Sequence, residues 1–324
     1  MTIHHGDLAY EFRRMRIYHP LLLGAHKEFD KLRQLRRKMI ETGIDVEANC
    51  FGLFGESQAG KSVTVASYLE NQVVDYCYDT GLFDRSVPRI EVMEAQRVVV
   101  YISLTGSTLK SFYGDILRAY GDPRPERGNI GDLAYRVYNY IRRFKTELLI
   151  FDETQHLRIG APVSFARLEA GRVHNSLKDF LLSGFPVVFV GTDEAEKRLM
   201  NEHQIGFRGC RKIPYRKLDF KLAEDRKIFE DYCGLIGVKL AEHGLFQKRS
   251  NFLAGDIVPC LFEATGGYLG RVSRLIEAAA GYALDEGATI VERRHLVLGC
   301  DEFSIGNGLI TRNPFLDEEL QNAA

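Results

Sequence analysis

Residues Gly55 to Ser62 read GESQAGKS, the G-x-x-x-x-G-K-[ST] spacing of a phosphate-binding loop, and this constrains the fold more than any other feature. The run from Cys50 to Phe54 before it is apolar enough for a buried strand. Ser62 to Val74 after it predicts a helix with Val65, Ala66 and Leu69 on one face. Strand, glycine loop and helix in that order bring backbone N–H groups and the positive helix end onto a phosphate. Gly55 and Gly60 let the backbone close around an anion where a Cβ would obstruct it. Lys61 is expected to reach β- and γ-phosphate oxygens, and the Ser62 hydroxyl to ligate Mg²⁺. Glu56, Ser57, Gln58, Ala59 and Val63 complete the expected cradle.

A second motif adds hydrolysis to binding. Glu147 to Glu153 is an apolar strand ending in two carboxylates. Strands buried on both faces are continuously hydrophobic, and active groups of open α/β sheets sit at their carboxyl ends. Asp152 is therefore expected to hold Mg²⁺, directly or through water. Glu153 is expected to accept a proton from the water that attacks the γ-phosphate. Acidic pairs commonly cap helices or face solvent; it is the apolar run before this one, in a chain with the phosphate loop, that gives it meaning.

Composition narrows the remaining classes. Lys and Arg number 43 against 44 acidic residues, so no global field attracts nucleic acid, and any DNA contact must come from a local cluster. The six cysteines form no C-x-x-C pair and no metal-like spacing with histidine, which points to reduced thiols in a cytoplasmic protein. Neither a signal peptide nor a membrane span is expected from the N-terminal residues. The 324 residues suffice for one good core and a smaller second domain.

Strand and helix signals alternate from Asn49 to about Lys217, which implies a parallel sheet covered by helices. Strands are expected at 50–54, 97–104, 147–151 and 185–190. From Ala223 onward strand signals fade, and 227–235, 257–264 and 270–284 read as helices. The stretch from Asp301 to Ala324 reads as loop-like. Before the phosphate loop, Phe29, Leu32, Leu35 and Met39 mark a helix that also carries Arg33, Arg36, Arg37 and Lys38. Those charges fit a solvated face or, less commonly, a phosphate-contacting one. Thr192, just after the strand ending at Gly191, fits either a γ-phosphate contact or a helix N-cap.

The phosphate loop, LLIFDE, VFVGTD and Gly266 to Arg271 together resemble an AAA+ ATPase. More closely, GESQAGKS, LLIFDETQHL, VVFVGTDEA and ATGGYLGRVSRLIEAAA resemble the TniB/TnsC group of bacterial transposition ATPases, over residues 20 to 295. The resemblance implies an α/β fold, a P-loop AAA+ parallel sheet flanked by helices and followed by a small α-helical lid domain. Its expected divisions are an N-terminal helical extension (1–47), the ATPase domain (48–217), the lid (218–300) and a tail (301–324). It places Gly55, Gly60, Lys61 and Ser62 in Walker A, Asp152 and Glu153 in Walker B, Thr192 at sensor 1 and Arg271 at sensor 2. Gln204 to Arg208 resembles the family's Q-[LI]-x-x-R stretch and makes Arg208 the candidate arginine finger, with Arg211 the alternative register. Relatives can carry lysine in the loop after the second strand. Here that loop holds Thr105, Ser107 and Lys110, which with Arg124 and Arg127 are the expected DNA contacts.

The function implied is an ATP-dependent regulator of transposition that assembles with itself on double-stranded target DNA, as a ring or filament. It would recruit a transposase and a TniQ-type target selector, and hydrolysis would loosen the assembly. Two alternatives stand beside it: an initiator- or helicase-loader-like AAA+ ATPase, and a nucleotide-gated protein-interaction module with negligible hydrolysis.

Overall fold

A computed structural model of the chain describes residues 5–106, 108–157, 164–200 and 210–316. They fall into two compact units. One comprises Leu21–Ser57 with Lys61–Tyr215, the other Met1–Pro20 with Gln58–Gly60 and Arg216–Ala324. The first 47 residues, expected as one helical extension, are thus divided between the two. Helix α1 (His5–Arg14) belongs to the second unit, and nearly all of α2 (Pro20–Thr42) to the first.

The first unit is built on a five-stranded sheet. Strands β1 (Cys50–Gly55), β2 (Val99–Ser103), β3 (Leu148–Asp152), β4 (Val187–Gly191) and β5 (Arg211–Tyr215) lie in the order β2-β3-β4-β1-β5. Every neighbouring pair is parallel. The three inner strands are buried at every residue, which is why their sequences are continuous apolar runs. At the edge, β2 alternates, with Tyr101 and Ser103 on the exposed face. The opposite edge, β5, has no counterpart among the expected strands. Its sequence RKIPY lacks an apolar run, and it pairs only with β1, an edge position where proline is tolerated.

Helices α3 (Lys61–Tyr68), α4 (Val74–Asp79), α5 (Arg89–Ala95), α6 (Leu109–Tyr120), α7 (Ile130–Arg143), α8 (Ser164–Leu182) and α9 (Asp193–Met200) alternate with the strands. Phe112 of α6 and Phe180 of α8 pack on Phe151, whose ring also meets Phe189 of β4. The arginines of α2 correct the sequence expectation. Arg33 and Arg36 are buried rather than solvated or free to meet phosphate. Arg33 donates from Nε to Glu147 Oε2 at 2.8 Å and from NH1 to the Tyr68 hydroxyl at 2.9 Å. Arg36 lies over the Phe185 ring and pairs with Asp45.

The second unit is helical among its described residues. With α1 it comprises α10 (Ala223–Glu242), α11 (Ile257–Thr265), α12 (Leu269–Asp285) and α13 (Arg293–Cys300). Gly299 lets α13 approach α12, since a Cβ there would stand 2.7 Å from the Ala279 nitrogen. His5 reaches Asp285 at 2.7 Å and Glu11 reaches His243 at 2.7 Å, tying α1 to α12 and to the end of α10. The expected loop-like tail is packed as far as Phe315. Asp301–Ile305 forms a π-helical turn, Asn313 Nδ2 donates to Val297 O and Asp301 Oδ1, and Phe315 is buried. Arg293 holds it by donating to the Phe315 carbonyl at 2.9 Å and to both oxygens of Asp256. No described helix is long and apolar enough to cross a membrane.

Candidate nucleotide site

The two sequence motifs meet at the carboxyl end of the sheet. β1 runs into the phosphate loop, and α3 starts at Lys61, so the loop closes within Gly55 to Gly60. Gly60 has φ 100°, a backbone conformation that L side chains rarely adopt. A Cβ at Gly55 would stand 2.3 Å from the Tyr215 carbonyl oxygen, so no other residue fits beside β5. Gln58 sits in the left-handed region at φ 63°. Strained non-glycine residues of this kind cluster at functional sites.

Lys61 curls back over this loop. Its Nζ donates to the carbonyls of Gly55 at 2.8 Å and Glu56 at 2.7 Å. Burial pushes its ammonium below the ordinary lysine value, opposed by the charges of Asp152, Asp193, Glu153 and Glu56. A desolvated ammonium held among carboxylates is poised to exchange two neutral carbonyls for anionic phosphate oxygens, which make stronger charge-assisted bonds.

Ser62 and Asp152 face each other, as their assignment to one metal requires. Ser62 Oγ donates to Asp152 Oδ2 at 3.3 Å, and the Tyr101 hydroxyl donates to the same oxygen at 2.8 Å. Asp152 Oδ1 accepts from the Glu153 amide at 2.7 Å. One hydroxyl and one carboxylate are hard oxygen ligands, the few protein ligands Mg²⁺ takes when phosphates and waters supply the rest. The residues present therefore fit Mg²⁺ with a nucleotide polyphosphate.

Glu153 occupies the left-handed region at φ 58°, the second strained non-glycine residue of the site, and its carboxylate accepts from Gln155 Nε2. Thr192 follows β4, the strand lying between the Asp152 strand and the phosphate-loop strand. Its Oγ1 accepts from the Ala195 amide at 3.3 Å, so the N-cap role is realised. That bond uses a lone pair of the hydroxyl oxygen and not its proton.

The other expected residues are more dispersed. Arg271 lies in the first turn of α12, in the helical unit, with its guanidinium 4.3 Å from the Tyr268 ring centre. Arg208, Gln204 and Ser107 lie outside the described residues. Arg211 opens β5, exposed, with its guanidinium 3.6 Å from Glu28. Thr105, an expected DNA contact, is exposed and bonded to α6. Its amide and its hydroxyl donate to the two oxygens of Asp115, each at 2.9 Å. These bonds pin the loop to α6. Lys110 is exposed in the first turn of α6. Arg124 and Arg127 are exposed on a loop braced by Arg136, which donates to Asp122 and to the carbonyls of both residues.

Tyr101 and Gln155 belong to the site but were absent from the sequence reading. The period-2 pattern of β2 puts Tyr101 and Ser103 on one face; what that face meets needed the strand order.

Residues 44–199 match the family model described as an AAA domain (AAA_22). No curated protein matches the chain. Among solved structures, the ORC2 protein of Aeropyrum pernix in ADPNP–ADP complexes is similar at TM-score 0.56 and 14% identity, covering 85% of this chain and 67% of that one. Cdc6p of Pyrobaculum aerophilum is similar at TM-score 0.56 and 15% identity, covering 93% and 71%. The ORC1 protein of A. pernix in complex with DNA is similar at TM-score 0.53 and 14% identity, covering 84% and 64%. At these identities the likeness is one of fold. The match to an AAA-domain model over residues 44–199 and the parallel five-stranded sheet with its flanking helices together show the AAA+ P-loop fold.

Proposed function

We propose that the chain is an AAA+ ATPase that binds ATP with Mg²⁺ and uses the nucleotide to control assembly on double-stranded DNA. The observation that carries the ATPase reading is the convergence of Lys61, Ser62, Asp152 and Glu153 at one end of the sheet. Lys61 would hold the β- and γ-phosphates, Ser62 and Asp152 would hold the metal, and Glu153 would take the proton of the attacking water. Mg²⁺ bound there would offset the charge on the phosphate oxygens. Thr192 still has its hydroxyl proton to offer the γ-phosphate beyond the cap bond. Arg208, or Arg211 in the alternative register, would complete the site of a neighbouring subunit, and Arg271 would report nucleotide state from the helical unit.

An initiator- or loader-like role has the support of the fold, shared with ORC and Cdc6 proteins, one of them solved with DNA. The transposition reading keeps the support of its motif combination, GESQAGKS with LLIFDETQHL and VVFVGTDEA. A transposase and a TniQ-type selector as partners belong to that second reading alone. In either role the DNA contacts would be mostly to phosphates, through Lys110, Arg124 and Arg127, and strongly salt-dependent.

Phosphate release by the parent and by Glu153→Gln, each with and without duplex DNA, tests the proposal. The parent should hydrolyse ATP faster with DNA; Glu153→Gln should bind ATP as well as the parent and lose about 100-fold or more in turnover. Parent-like turnover by Glu153→Gln would remove Glu153 from the chemistry. Negligible hydrolysis by the parent under all conditions would favour a nucleotide-gated interaction module.

A further inference from the structure

We propose that Tyr101 is a positioning residue for the metal-holding carboxylate of Asp152. The inference rests on the nucleotide site proposed above and adds a member that no motif contains.

The geometry follows from strand register. β2 and β3 are parallel neighbours with Tyr101 opposite Ile150 and Ser103 opposite Asp152. Tyr101 and Asp152 are therefore diagonal neighbours on the same sheet face, at a separation that aromatic side chains span and short ones do not. The ring lies along the exposed face of the edge strand, 38% exposed, while its hydroxyl reaches the buried Asp152 Oδ2 at 2.8 Å. Asp152 is itself only 3% exposed.

Three donors then set the orientation of one carboxylate. The Glu153 amide takes Oδ1, and the Ser62 and Tyr101 hydroxyls share Oδ2. Ser62 is the other expected metal ligand, so its hydroxyl reorganises when a metal arrives. Glu153 lies on a strained backbone at the catalytic step. Of the three, Tyr101 alone carries no other assigned task at the site, and it sits on a regular strand of the sheet. A phenol keeps its proton at neutral pH and so donates to the carboxylate. A hydrogen-bond donor fixing a ligating carboxylate commonly changes metal affinity by about 10- to 100-fold when removed.

Tyr101→Phe removes the hydroxyl and keeps the ring. The test titrates Mn²⁺, as a probe for Mg²⁺, into the 324-residue chain saturated with a non-hydrolysable ATP analogue, reading free metal by electron paramagnetic resonance. Metal-free affinity for the analogue is measured in parallel. Tyr101→Phe should weaken Mn²⁺ binding by about tenfold and leave metal-free nucleotide affinity within twofold of the parent. Tyr101→Leu, which removes ring and hydroxyl together, should show a metal shift of the same size, separating the hydroxyl from ring packing. Unchanged Mn²⁺ affinity in Tyr101→Phe, with a parent that binds Mn²⁺ tightly, overturns the role of Tyr101 and leaves the site standing. A loss of metal and metal-free nucleotide affinity in equal proportion also overturns it, since that marks a merely structural residue. A parent that binds no Mn²⁺ with the analogue overturns the nucleotide site itself and this inference with it.

Discussion

Replacing Glu147 by alanine should cost the sheet unit more than any change on its surface. Arg33 is buried to 2% side-chain exposure; Glu147 lies 2.8 Å from its Nε, and Asp30, 41% exposed, stands 3.6 Å from NH1. The Arg37 guanidinium stands 3.6 Å from the same carboxylate, and the Tyr76 hydroxyl donates to its other oxygen at 2.8 Å. Removing the buried partner leaves the Arg33 charge desolvated, with the more distant and more exposed Asp30 still against it, a loss toward the lower end of the about 3–5 kcal/mol of a broken buried pair. Against a total stability of about 5–15 kcal/mol, that is a large share. Removing both charges behaves differently, because the desolvation cost disappears along with the attraction. Arg33→Met combined with Glu147→Leu should therefore recover more than half of the single-mutant loss. Urea unfolding followed by circular dichroism gives the midpoints, and hydrogen exchange of the β3 amides assigns the transition to the sheet unit. Asp152 lies five residues further along the chain, about 17 Å at the usual strand rise, so nucleotide affinity of the folded protein should be unchanged. A single-mutant loss below about 1 kcal/mol, or a double mutant no more stable than Glu147→Ala, would refute the reasoning.

Lys61→Ala should lower nucleotide affinity by about 10- to 100-fold, the worth of charge-assisted bonds to phosphate, as measured by equilibrium titration. Asp115→Ala should leave the Thr105 amide and hydroxyl without their acceptor, costing about 1–3 kcal/mol and speeding hydrogen exchange of the Leu104 to Thr108 amides. In the helical unit, the hydrogen bonds from Arg293 hold the Asp256 carboxyl below its usual range. A depressed carboxylate contributes stability that is full above its unfolded value, about 3.9, and is lost as pH falls through the lower folded value. Arg293→Ala should therefore be less stable at neutral pH and should show a weaker acid dependence below about pH 4, read by circular dichroism during acid titration.

The phosphate loop and the carboxylates of Asp152 and Glu153 were legible in the sequence because each is a contiguous segment whose function is carried by its own backbone geometry. An apolar run before a glycine loop, or before two acids, can be read without knowing what lies beside it. The alternating strands and helices were legible for the same reason, since hydrophobic periodicity is local. Strand β5 was not, because RKIPY becomes a strand by pairing with β1, and one exposed edge needs no apolar run. That Thr105 donates both its amide and its hydroxyl to Asp115, ten residues on, was not legible either, since it depends on how α6 packs beside the loop. The arginines of α2 show the limit most plainly. On a helix, Arg33 beside Arg36 and Arg37 has the same sequence signature whether solvent or a buried carboxylate lies opposite. Its partner, Glu147, is 114 residues away. Tyr101 reaches Asp152 across 51 residues by the same kind of accident of strand order. Local segments set their own conformation through periodicity and backbone geometry, whereas a charge or a hydroxyl acquires its role from whatever the packed chain brings within about 3 Å of it.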